Sequence, residues 1–142
     1  MTLCDVNIYI YSFREDVLNH AFYSSWLNEL LNSNTTFAYT ELVLSSFLRI
    51  VTHPKIFKKT TPIKIALEFT QVIRSHPMGL SIMPGARHWE IFKQLSKETN
   101  ATGNSIPDIY LAALAIESEV QFITADKGFK KIKGLDCLIL KP

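Results

Sequence analysis

No apolar run in this 142-residue chain reaches the 18 or more residues that a membrane-spanning helix requires. The opening MTLCDVNIYI carries an acid where a secretory leader would carry bases, so a cytoplasmic protein with no membrane partner is expected. Cysteine is scarce: Cys4 and Cys137 both sit in apolar stretches without metal-type spacing and read as small buried hydrophobes. Neither sign of charge dominates. Fifteen Lys and Arg against 13 Asp and Glu leave +2, a balance that permits nucleic-acid binding without demanding it. With 47% hydrophobic and 20% charged residues the chain is too apolar for disorder, and its length fits one domain, residues 1–142. The four histidines, His20, His53, His76 and His88, form no pair at acid–base spacing. His53 and His76 each precede proline, where a turn is the plain reading.

What is present alternates between short strands and helices. Leu3 and Cys4 run into Asp5 as a strand end, and apolar residues from Asp16 to Leu31 recur at helical spacing with Asp16 placed to cap. Thr35 to Tyr39 is β-rich, and Thr40 can cap a helix from Glu41 to about Val51. Pro62 suits a first helical residue ahead of Ile65, Ala66, Phe69, Val72 and Ile73. Leu80 to Met83 reads as a strand, and Arg87 to Thr99 as a helix with Trp89, Phe92 and Leu95 inward. A polar loop over 100–106 precedes an alanine- and leucine-rich helix, Pro107 to Glu119. Gln121 to Thr124 and Cys137 to Leu140 complete the strands. Such alternation predicts an α/β domain with a mainly parallel sheet, because parallel neighbours need crossovers that helices supply.

In open parallel sheets ligands bind beyond the carboxyl ends of the strands. The chain has only five aspartates, and three of them fall on that rim: Asp5 directly after the first strand, Asp126 two residues after QFIT, and Asp108 behind Pro107 at a helix start. Carboxylates crowded there repel unless a cation or proton compensates, and Mg²⁺ or Mn²⁺, which favour oxygen ligands and retain water, answer that need. An ordinary cap remains the alternative for Asp108 and Asp16; Asp136, in a turn after Gly134, reads as structural. Asn7, Asn104, Ser105 and Thr124 stand close enough in sequence to orient carboxylates or water, or to serve as turn and cap residues.

The segments CDVNIYIY, LVLSSFLRIVTHPKIF, RHWEIFKQL, ATGNSIPDIYLAALAIE and FITADKGFKKIKGLDCLILKP resemble, in order and spacing, the PIN-domain ribonuclease toxins of the VapC type. Most specific are D-x-N near the N-terminus, G-N-x-x-P-D before the alanine-rich helix, and T-x-D-x-x-F near the C-terminus. The resemblance implies a PIN-like α/β/α sandwich, an acidic pocket for Mg²⁺ or Mn²⁺, RNA hydrolysis without a covalent intermediate, and inhibition by a cognate VapB-like antitoxin; such toxins commonly form homodimers. Carried over by position, Asp5, Asp108 and Asp126 match three of the family's acids, with Asp5 and Asp108 the firmest metal ligands, and Asn7 and Thr124 match its supporting polar groups. The family's remaining acid falls where this chain has Ser46. Glu41, five residues earlier, is the substitute on offer, but five helical residues turn a side chain by about 140° and shift it by about 7.5 Å. It either reaches the pocket from the helix start or complements the helix dipole.

An enzyme acting on RNA needs positive charge beside its acids. Lys127, Lys130 and Lys131 follow Asp126 directly, and Arg49 lies on the helix after Glu41, so these four are the candidate RNA-binding residues, with solvated surface charge as the alternative. Two other phosphate-handling classes fit less well. Asp5-Val6-Asn7 lacks the D-x-D of haloacid-dehalogenase-type enzymes, and no aspartate between Asp16 and Asp108 can serve as a receiver-domain phosphoacceptor. The competing reading is a catalytically weak or inactive PIN-fold protein that binds RNA or antitoxin, suggested by Ser46.

Overall fold

The computed structural model describes all 142 residues. Five short strands, β1 (Thr2–Cys4), β2 (Phe37–Tyr39), β3 (Gly79–Ser81), β4 (Gln121–Thr124) and β5 (Cys137–Ile139), form one sheet in the order β3-β2-β1-β4-β5. Every pairing is parallel, as the strand–helix alternation predicts. Leu3, Phe122 and Ile123 are buried on this sheet. Strands buried on both faces read as continuous apolar runs, which is how these appear in sequence.

The helices are α1 (Val6–Phe13), α2 (His20–Asn32), α3 (Glu41–Val51), α4 (Ile63–Arg74), α5 (His88–Glu98) and α6 (Ser105–Glu117), with a 3₁₀ turn over Lys127–Lys131. One group joins α1 to α2 and α3, and α3 to α4; the other joins α5 to α6, which lies on β4. Aromatic contacts knit the first group: Phe47 stacks on Phe69 at 4.8 Å, and Phe13 meets both rings. In α6 the alanines 112, 113 and 115 are fully buried, so this helix approaches its neighbours closely where larger side chains would hold it off.

Four sequence expectations shift. Val6–Phe13, for which the pattern gives no helix, is helical because Asp5 caps it and Ile8, Tyr9 and Ile10 are buried against the rest of the core. The next helix starts at His20 rather than at Asp16, whose carboxylate instead takes a two-pronged contact from Arg14. In α5 Leu95 is buried and Phe92 packs on the core as expected, but His88, 2% exposed, takes the inward place expected of Trp89, which is 58% exposed. His88 turns in because its Nε2 lies 2.9 Å from the Tyr110 carbonyl and its ring packs edge-on to Tyr110, so a polar side chain finds a partner inside. Asp108 lies in the first turn of α6 and is not its cap, a place held by Asn104.

The chain leaves β1 for β2 and β3 on one side of the sheet, then crosses to β4 and β5 on the other. The order reverses between β1 and β4, and at such a switch point adjacent connections diverge and open a crevice at the carboxyl ends.

Candidate active site

Asp5 stands at that crevice. Its backbone N–H donates to the Ile123 carbonyl at 2.8 Å, continuing the β1–β4 ladder, and the chain then turns into α1 with Asp5 as cap. Its side chain is held from three directions: Oδ1 accepts from Val6 N (2.7 Å), and Oδ2 accepts from Thr124 Oγ1 (2.7 Å) and Asn7 Nδ2 (3.1 Å). A carboxylate offers about four lone-pair positions, so three are occupied by this chain and one remains for a ligand.

Thr124, 0% exposed, uses its whole hydroxyl. It donates to Asp5 and accepts from Asn7 Nδ2 (3.2 Å) and from Asp126 N (3.0 Å). Asn7 is as fully engaged, because its Oδ1 accepts from Ala125 N at 3.1 Å, which fixes the amide orientation. Asn7 and Thr124 therefore tie the start of α1 to the end of β4 and set Asp5 relative to Asp126. Asp126 in turn caps the 3₁₀ turn, accepting from Gly128 N at 2.8 Å.

Asp5, 6% exposed, forms no ion pair. Burial, opposed in part by the Thr124 and Val6 hydrogen bonds and reinforced by the charges of Asp108 and Asp126, pushes its carboxyl up from 3.8 to about 6. Partial burial and the charge of Asp126 also raise Asp108. The three acids thus repel one another across the crevice. No three His, Cys, Asp or Glu side chains form a closed metal cage. Uncompensated oxygen donors with room beside them suit a hard divalent ion that keeps much of its water and takes one or two carboxylates.

A cavity of about 620 Å³ opens at Asp5 and Asp108, lined also by Asn104, Ser46 and Arg49, with Leu42, Ile50, Ile106 and Tyr110 among its apolar walls. A narrower cleft of about 140 Å³ lies where Ser105, Asp108, Asp126 and Lys131 meet Phe129 and Ile132. Asp108 borders both hollows. The Ser105 hydroxyl is engaged with Thr102, donating to its carbonyl and accepting from its N–H, each at 2.9 Å. Lys127 and Lys130 are exposed and border neither hollow.

Glu41 is not brought to this site. Its side chain is 66% exposed and pairs with Arg74 Nη2 at 2.9 Å, on the face of α3 toward α4. Ser46 does line the acid-lined cavity, beside Leu42, Val43, Arg49 and Ile50 of the same helix, its hydroxyl donating to the Leu42 carbonyl at 3.0 Å. The rotation of about 140° between the two positions is what separates them. Sequence reasoning missed the cavity wall of Ile106 and Tyr110, which no local motif marks; only the placing of α6 opposite α3 assembles it.

A parallel sheet in the order 3-2-1-4-5, with mutually repelling carboxylates over its switch point, defines an α/β protein built around an acidic pocket. Comparison with known sequences narrows the class. Residues 2–135 match the PIN domain, and the chain belongs to the PIN-domain family. Two proteins of Mycobacterium tuberculosis, Ribonuclease VapC43 and Ribonuclease VapC25, are each 34% identical to it over 135 residues, spanning 95% of this chain and 92% and 95% of theirs. Among solved structures, VapBC2 from Rickettsia felis bound to a promoter DNA fragment superposes with a TM-score of 0.70 at 21% identity, covering 96% of both chains. DNA-bound VapBC from Salmonella typhimurium gives 0.67 at 16% identity over 96% of both. These superpositions establish the fold.

Proposed function

We propose that this protein is an endoribonuclease of the VapC type, the toxin of a toxin–antitoxin pair, hydrolysing RNA phosphodiester bonds at the Asp5–Asp108–Asp126 pocket. The observation that carries this reading is Asp5, a buried carboxylate oriented by three donors, without a counter-cation, facing two further acids. The names of the 34%-identical relatives support the substrate class.

Asp5 and Asp108 are the residues that would hold Mg²⁺ or Mn²⁺, with Asp126 acting across the cleft. When bound, such an ion supplies positive charge to the scissile phosphate and an acidified water as nucleophile. The chain's own contribution is preorganisation. Thr124 and Asn7 fix the Asp5 carboxylate before substrate arrives, and Asp126 is held by its own cap bond, so no reorganisation falls on the reaction step. The solved neighbours named VapBC support a VapB-like antitoxin as partner; a homodimer and action in the cytoplasm complete the proposal. No helix is long and apolar enough to cross a membrane.

Ser46 in the cavity and Glu41 turned to Arg74 leave Asp5 and Asp108 in the cavity and Asp126 in the adjoining cleft, without a fourth acid, the observation favouring the second reading, a weak or inactive binding protein. Antitoxin-free protein incubated with total RNA and Mg²⁺ or Mn²⁺ decides between them. Discrete cleavage abolished by EDTA and by Asp5→Asn establishes the nuclease. Intact RNA across all metals, with binding retained, leaves the binding protein.

A further inference from the structure

The two hollows that meet at Asp108 differ in size and in the cation each holds. Arg49 lines the 620 Å³ cavity, whose volume lies within the range of pockets that take a small organic ligand. Lys131 lines the 140 Å³ cleft, which is below that range. The ion pairs of this protein are Arg14–Asp16, Arg74–Glu41 and Lys93–Glu90, so Arg49 and Lys131 both stand beside acids without being bound by them. The neighbouring lysines differ from Lys131. Lys133 borders a separate depression with Glu90, Gln94 and Glu98, and the charge of Lys130 is felt at Cys137.

We propose that Lys131 binds the phosphate next to the scissile one, and that the RNA strand crosses Asp108 from a nucleotide-sized cavity at Arg49 to a phosphate-sized cleft at Lys131. The inference rests on the nuclease reading for the position of the scissile phosphate. A compact ammonium on a flexible stem suits a single phosphate in a narrow cleft, and the 140 Å³ between Phe129 and Ile132 is less than a quarter of the volume at Arg49 and too little for a whole nucleotide. On the other side Arg49 offers a planar fork beside apolar walls and Tyr110, a setting for a nucleoside. The path therefore has a direction, with base contacts on one side of the cut and backbone contacts on the other.

The test uses metal-free full-length protein carrying Asp5→Asn, which does not cut, and a fluorescein-labelled single-stranded RNA followed by anisotropy through a salt series. Lys131→Ala should weaken binding several-fold and lower the slope of log affinity against log salt by about 0.7, the share of one phosphate on a single strand. Lys131→Arg should restore both, and Lys133→Ala should change neither. In the cutting protein, Lys131→Ala should raise KM more than it lowers kcat. Equal losses from Lys133→Ala and Lys131→Ala would mean diffuse surface charge and overturn the proposal, as would unchanged binding in Lys131→Ala or no RNA binding at all. If the wild type cuts nothing while the Lys131 slope loss holds, the nuclease reading fails and the strand path stands; cutting with Lys131→Ala indistinguishable from wild type gives the reverse.

Discussion

Two charged side chains of this protein are almost equally buried, and their surroundings are opposite. Arg14, 8% exposed, is compensated on every side: Nε and Nη2 donate to Asp16 at 2.9 and 2.6 Å, Nη1 donates to Thr61 at 3.1 Å, and the guanidinium lies 4.0 Å over the Phe57 ring. Asp5, 6% exposed, has hydrogen bonds but no cation, and two more carboxylates act on it. The first cluster ties the α1–α2 and α3–α4 connections together and leaves nothing for a ligand to do. The second leaves a charge deficit that only a proton or a cation can meet. Burial alone marks neither as functional; the missing counter-charge does.

The largest effect expected from breaking this contrast is at Asp5. Asp5→Asn should abolish metal-dependent cleavage while raising stability in metal-free buffer at neutral pH. The sign follows from linkage. The folded state holds the Asp5 proton more tightly than the unfolded chain, so in metal-free protein the contribution of this group to stability is greatest below about pH 4 and declines as pH rises to about 6. The rise from 3.8 to about 6 corresponds to about 3 kcal/mol, an upper bound on what Asp5→Asn regains at pH 7. Asp108, raised in the same direction, leaves a shallower decline in the variant. Urea unfolding between pH 4 and 7, with and without Mn²⁺, checks this: Mn²⁺ should stabilise the wild type and not the variant. Equal pH slopes in the two proteins would contradict the account.

Arg14→Ala should act the other way, destabilising by about 2–3 kcal/mol through lost hydrogen bonds to a charged group and the lost cation–π contact. The penalty stays below that of an orphaned buried ion because Asp16, 56% exposed, returns to water. Cleavage per folded molecule should be unchanged, measured below the melting transition.

A smaller effect separates hydrogen bonding from charge within the Asp5 cluster. The Thr124 hydroxyl donates to the Asp5 carboxylate and so favours its charged form. Thr124→Val should raise the Asp5 pKa further, by roughly one to two units for a bond of about 1.5–3 kcal/mol to a charged group, and Thr124→Ser should restore it. Carboxyl ¹³C NMR titration of metal-free protein reads this directly.

Much of this contrast is legible in the order of residues along the chain. Asp5 stands directly past one short apolar strand and Asp126 two residues past another, and parallel topology sends those ends to one rim, so local pattern and one fold rule suffice. Asn7 and Thr124 are legible as candidates for the same reason. The α1 helix is not: Val6–Phe13 is apolar nearly all round, and only its burial in the core decides between helix and strand. The exchange of His88 for Trp89 escapes hydrophobicity altogether, because the Tyr110 carbonyl that draws the imidazole inward lies 22 residues away. Asp16 misleads by chemistry, since a residue fit to cap a helix is equally fit to bind an arginine.

The smallest effect expected is at Glu41, and it is the one that fixes how many acids the pocket has. At the start of α3 a carboxylate complements the helix dipole and, with side chains 66% and 47% exposed, forms a solvated pair with Arg74. Such a residue contributes at most about 1 kcal/mol. Glu41→Gln should therefore leave cleavage and Mn²⁺ affinity within error and lower stability slightly, an effect that salt removes. The alternative, that Glu41 swings from Arg74 to complete the site, requires a rotation about α3 that its neighbours resist, because Val43, Leu44 and Phe47 lock the helix into the core. Arg74→Ala isolates that possibility: freeing Glu41 should not raise Mn²⁺ affinity. If it did, the two buried charges would no longer be the right pair to compare, and the contrast would run instead between Asp5 and a fourth acid held in reserve by an arginine.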